Sequence, residues 1–156
     1  MPLGNLTSQF FANVYLNELD YFVKHTLKAK YYIRYVDDFI IIHPSHKQLH
    51  IWKEAIDVFL TANLKIQLHP HKTHIFPLVR GVDFVGFRNF YRYCLVRKRN
   101  LRTMQRKVTN YKKGTNTFEK IYEQYRGWNA YIKWGNSHRA AQKIKMNIID
   151  ILLDKV

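Results

Sequence analysis

Asp37 and Asp38 stand side by side between two short apolar stretches, Tyr31-Tyr32-Ile33-Arg34-Tyr35 and Phe39-Ile40-Ile41-Ile42-His43. Adjacent like charges repel each other, and flanking strands that seek burial strip them of hydration. A divalent cation removes both conflicts. Two carboxylates presented in this way form a donor set for a metal that serves nucleotidyl transfer. The competing reading is a solvated hairpin tip, because Asp-Asp is a frequent turn dipeptide that needs no metal.

The elements that must position this pair are readable from apolar spacing. Phe10, Phe11, Val14, Leu16, Leu19, Phe22, Val23 and Leu27 recur at intervals of three and four, which predicts one amphipathic helix over about 7–29, capped by Thr7 or Ser8. A hairpin over 31–43 follows directly. Pro44-Ser45 ends it, and Leu49, Trp52, Ile56, Phe59, Leu60 and Leu64 predict a second helix with one face on the sheet. Alternating Leu64, Ile66 and Leu68 reads as a short strand. Val82-Asp83-Phe84-Val85-Gly86-Phe87 and Tyr93-Cys94-Leu95-Val96 read as a second hairpin turning near Asn89. Beyond Arg97 the pattern is helical throughout, with helices over about 98–112, 117–133 and 137–154 broken at Gly114 and at Gly135-Asn136. The predicted class is α+β.

With 156 residues, 47% of them hydrophobic, the chain can bury a real core. Its formal net charge of +15 calls for a polyanionic partner, nucleic acid above all. Eleven Tyr and ten Phe among so many cations suit single strands and hybrid duplexes, although most such rings belong to a core. Cys94 is the sole cysteine, which excludes an internal disulfide and a cysteine-based zinc site and fits a reducing cytoplasm. The apolar run Phe39–Ile42 is far short of the ~20 residues that span a bilayer, and the first residues do not open a signal peptide. A soluble, cytoplasmic protein without a membrane partner is expected.

The basic charge is concentrated. Residues 98–156 carry 14 Lys and Arg against 4 acids, whereas residues 1–97 carry 12 against 7. Arg99, Arg102, Arg106 and Lys113 recur on one helical face that could follow a phosphate backbone. The alternative is an ordinary solvated face, but a face built only for solubility mixes signs, and no acid falls between Arg97 and Lys113. His69, His71 and His74 lie near prolines without a carboxylate in the run, so a polar loop is preferred there to a zinc site.

Taken together, these motifs resemble those of reverse transcriptases. Tyr35-Val36-Asp37-Asp38 matches the catalytic hairpin of that family, and Leu3-Gly4-Asn5-Leu6-Thr7-Ser8-Gln9 matches the motif that faces the templating base and incoming nucleotide. Lys72 falls where the family places a lysine near pyrophosphate, and Phe84-Val85-Gly86-Phe87 resembles the primer grip. The resemblance implies a partial polymerase palm over 1–97, an antiparallel sheet with two packed helices, and a three-helix thumb over 98–156. Leu3 before the glycine and Gln9 after Ser8 follow the variant pattern of diversity-generating retroelements. Group II intron and retron enzymes carry Gln and Pro instead, so they are the second choice.

The implied activity is Mg²⁺-dependent addition of dNTPs to a primer, or growing cDNA, on an RNA template. Asp37 is the main metal ligand, Asp38 a second, and Tyr35 a support for the primer end or nucleotide. Leu3, Gly4, Asn5, Ser8 and Gln9 face nucleotide and template. Lys72 either assists the departing pyrophosphate or is a solvated loop lysine. Gly86 either admits the primer backbone or marks a bulge. Enzymes of this kind also work with a small basic accessory protein. The family's further metal-binding aspartate and its fingers precede the Leu3 motif, and the expected Gly two residues before Pro2 is missing. The 156 residues are therefore read as a fragment or shortened frame that does not polymerise alone. A non-catalytic nucleic-acid binder that retains the scaffold is the reading from a different class.

Overall fold

The computed structural model describes residues Leu6–Leu153. The class is α+β, with two small antiparallel sheets and five α-helices, and the chain packs as two compact units that divide between Phe76 and Pro77. The hairpin that holds Phe84–Phe87 thus shares a unit with the C-terminal helices.

In the first unit, helix α1 spans Leu6–Tyr21, and its last stretch opens into a π-helical turn, Phe22–Thr26. Thr7 and Ser8 lie inside the first turn, not at the cap. Strands β1 (Tyr31–Tyr35) and β2 (Asp38–Ile42) pair antiparallel, with Tyr35 opposite Asp38 and Arg34 opposite Phe39. Tyr32, Phe39 and Ile41 pack against the buried cluster Leu19, Val23, Ala29, Trp52, Ile56, Leu60 and Leu64. Tyr31, Ile33 and Tyr35 alternate to the opposite, exposed face.

Helix α2 (His46–Phe59) is capped by the Ser45 hydroxyl, which accepts from the Gln48 amide at 3.2 Å, and it too closes in a π turn, Leu60–Leu64. The strand expected at Leu64–Leu68 is absent. Leu64 is the buried end of a helix that stops at Lys65 in the left-handed region, φ +50°, so the alternation was helix tail followed by irregular chain.

In the second unit, the expected single hairpin is a meander of three strands, β3 (Val82–Phe84), β4 (Phe87–Asn89) and β5 (Cys94–Val96). The turn expected near Asn89 is present at Phe90–Tyr93, with Asn89 itself the last residue of β4, and a further turn lies at Val85-Gly86, where both residues have positive φ, +48° and +82°. That combination is the φ signature of a tight two-residue hairpin turn. Asn89 also staples the meander, its side-chain amide donating to the carbonyls of Val82, Phe84 and Phe87 at 3.3–3.4 Å.

Helices α3 (Lys98–Lys112), α4 (Phe118–Ile132) and α5 (His138–Leu153) follow within a residue or two of their expected positions. They enclose Met104, Val108, Tyr111, Ile121, Trp128, Ile132, Ile144 and Ile148 together with Val96. The buried Ser137 hydroxyl accepts from the Val96 amide at 2.9 Å and ties the meander to the entry of α5. No described helix is long and apolar enough to cross a membrane.

Candidate active site

The β1–β2 turn has two residues, Val36 and Asp37, between the paired Tyr35 and Asp38. Val36 has φ +56°, whereas Asp37 is not among the positive-φ residues. A two-residue hairpin with the first residue alone at positive φ favours glycine there, and a β-branched side chain in that region is strained. Asp37 and Asp38 are both exposed, and neither carboxylate takes a hydrogen bond or ion pair from the described residues. Tyr35 is also exposed and lies directly across from Asp38, so the two share the outer face of the sheet.

Sequence reasoning missed what lies behind this turn. Arg34 alternates inward, its side chain only 10% exposed, and its guanidinium engages three groups. Nε and Nη2 donate to the two oxygens of Asp20 on α1, at 2.8 and 2.5 Å. Nη1 donates to the Val36 carbonyl at 2.6 Å and to Asn13 Oδ1 at 3.0 Å. The Tyr32 hydroxyl donates to Asp20 Oδ1 at 2.6 Å.

Burial raises the Asp20 pKa, but hydrogen bonds from Arg34 and Tyr32 and the charge of Arg34 outweigh it and hold the carboxyl below its ordinary value. Burial and then the Asp20 carboxylate push the Tyr32 hydroxyl far above the usual phenol range, so it stays a donor. The signal available in the sequence was one charged residue in the inward phase of an apolar strand.

Leu3, Gly4 and Asn5 lie outside the described residues. Ser8, half-buried, and Gln9, exposed, occupy the start of α1. Lys72 is exposed in a turn in which the amides of Lys72 and Thr73 both donate to the His69 carbonyl at 3.1 Å. The histidines serve that loop: His69 Nδ1 accepts from the His71 amide at 3.3 Å, and His74 Nε2 lies 2.8 Å from the His71 carbonyl. Among the described residues no cluster of three or more His, Cys, Asp or Glu side chains could hold a metal. The aspartate pair is thus two hard oxygen donors suited in kind to Mg²⁺, and short of the number a metal site of carboxylates alone needs.

In the second unit, Phe84 pairs with Phe87 across the Val85-Gly86 turn. A Cβ on Gly86 would collide with the Tyr131 hydroxyl of α4, so the close approach at this glycine is made by the protein's own tyrosine. The Phe87 ring lies 4.7 Å from that of Tyr131, tilted by 32°, and packs on the helical core. Arg99, Arg102 and Arg106 are all exposed on α3, on the side opposite the buried Met104, Val108 and Tyr111. Lys113 is exposed just past the helix end. Trp134, 82% exposed, and Tyr91, 84% exposed, add two surface rings that spacing alone did not single out.

A search of curated proteins gives no match. The model of the reverse transcriptase (RNA-dependent DNA polymerase) family matches residues 1–89, which include the Asp37-Asp38 turn and the β3–β4 hairpin. That match spans more than half of the 156 residues, and the chain belongs to the reverse transcriptase family.

Proposed function

We propose that this chain is the palm and thumb portion, 1–97 and 98–156, of an RNA-directed DNA polymerase that extends a primer with dNTPs on an RNA template. One observation carries the reading. Two exposed carboxylates with no partner among the described residues crown a tight hairpin inside the region matched by the family. Bound at that turn, Mg²⁺ would supply the Lewis acidity that activates a primer 3′-hydroxyl and neutralises the triphosphate. Asp37 and Asp38 would hold it, together with donors beyond this pair. Tyr35, beside Asp38, supports the primer end or the nucleotide. Lys72 brings positive charge to the departing pyrophosphate. Arg99, Arg102, Arg106 and Lys113 hold the backbone of the template–primer duplex.

Leu3 and Gln9 support a diversity-generating retroelement enzyme, which makes cDNA with errors, over a group II intron or retron enzyme. Leu3 forgoes the hydrogen bonds of a long amide, and Gln9 replaces a rigid ring with a flexible donor and acceptor, so pair discrimination leans less on fixed geometry.

The test is primer extension on an RNA template by the protein expressed from its full native reading frame. Asp37→Asn is expected to abolish Mg²⁺-dependent incorporation, by at least about a thousandfold, as loss of a preorganised electrostatic centre does. Full incorporation by Asp37→Asn would refute the assignment. If the wild-type enzyme binds duplex without Mg²⁺ and incorporates nothing, the non-catalytic binder replaces the polymerase.

A further inference from the structure

We infer that Arg34 is the positioning residue of the aspartate hairpin: anchored on Asp20, its guanidinium grips the Val36 carbonyl and fixes where Asp37 and Asp38 stand. The inference rests on the reading of those carboxylates as metal ligands. Its basis is that all three guanidinium nitrogens are engaged, through four of the five N–H donors. Two of its nitrogens form a fork on Asp20 at 2.8 and 2.5 Å, and the third reaches Val36 at 2.6 Å and Asn13 at 3.0 Å. Asp20 Oδ1 also accepts from the Tyr32 hydroxyl at 2.6 Å. Asn13 and Asp20 are seven residues apart on α1, two helical turns, so they present one face to Arg34.

What Arg34 holds is the weak point of the turn. Val36 is a β-branched residue at φ +56°, and such a conformation persists only where its surroundings over-determine it. The bond to the Val36 carbonyl does so. That carbonyl belongs to the same planar peptide as the Asp37 amide, so fixing its direction fixes the Cα of Asp37. A freely turning peptide would leave both carboxylates to sample many directions. A lysine keeps the charge but has no planar fork to span Asp20 and the turn together.

The experiment titrates Mn²⁺ into the isotope-labelled 156-residue chain and follows paramagnetic broadening of the Tyr35–Phe39 amide signals. Arg34→Lys and Arg34→Gln are each expected to need roughly 10–100 times more Mn²⁺ for the same broadening, as for residues that orient metal ligands from behind. Arg34→Lys should do so with a melting temperature near that of the unsubstituted chain. If both variants respond as the unsubstituted chain does, while Asp37→Asn/Asp38→Asn loses the broadening, the role of Arg34 is overturned and the metal assignment survives. If the double aspartate variant broadens as before, the metal assignment fails and takes the role of Arg34 with it. Should the variants not fold, the unsubstituted chain still decides: the Arg34 guanidinium protons must exchange slowly and show a scalar coupling to the Val36 carbonyl. A freely rotating guanidinium overturns the inference.

Discussion

Asp20 is where the chemistry of the hairpin becomes a matter of stability. A carboxylate held below its ordinary pKa adds stability that is fully present above the unfolded value, about 3.9, and is lost as pH falls through the folded value. The first unit should therefore weaken below about pH 4. Asp20→Asn should cost about 2–3 kcal/mol near neutrality, because it leaves the largely buried Arg34 without its counter-charge. Circular dichroism melts across pH check both: the variant should show a flatter acid limb, and equal limbs would deny the ion pair its part. None of this was legible in the motif Tyr35–Asp38. The network joins residues 14 apart on a helix and a strand, and only the pairing of Arg34 with Phe39 shows that Arg34 points toward α1. The place of Asp37 and Asp38 at a hairpin turn was legible, because two adjacent acids between apolar stretches do not continue a buried strand.

Among the elements, the helices were readable wherever one apolar face recurs for three turns or more, as in α3, α4 and α5. Their ends were less so. Both α1 and α2 widen into π turns that end near a lysine of positive φ, Lys28 and Lys65, a backbone event with no signature in side-chain periodicity. That is why Leu64–Leu68 read as a strand. The turn after Asn89 was legible, but the one at Val85-Gly86 was missed, since Val85 is a poor turn residue on propensity alone. Tyr131 supplies the missing constraint, and it makes a test. Gly86→Ala should destabilise the second unit by about 1–3 kcal/mol through its positive φ, and by more through the clash with the Tyr131 hydroxyl. Tyr131→Phe in the same chain should restore the steric part only. Chemical denaturation of the single and double variants measures the coupling, and strict additivity would show that the hydroxyl does not matter.

For the molecule as a whole, charge governs the encounter with nucleic acid. Net +15, with the exposed arginines of α3 facing away from its core, favours duplex backbones over sequence. Calorimetric titration of an RNA–DNA hybrid between about 50 and 200 mM salt should show affinity falling steeply with a linear log–log slope. Neutralising Arg99, Arg102, Arg106 and Lys113 should shallow that slope by about one for each residue that contacts a phosphate. An unchanged slope would move the interface elsewhere. The charge was plain in the composition, whereas the division at Phe76–Pro77 was not, because it depends on the meander packing with the helices, not on a linker-like stretch. The three tryptophans are distributed so that each unit reports on itself: Trp52 is buried in the first, Trp128 in the second, and Trp134 is almost wholly in water. Intrinsic emission can therefore show whether the two units melt together or apart, with an aqueous quencher silencing Trp134 and a Trp→Phe change at either interior position assigning the remaining light.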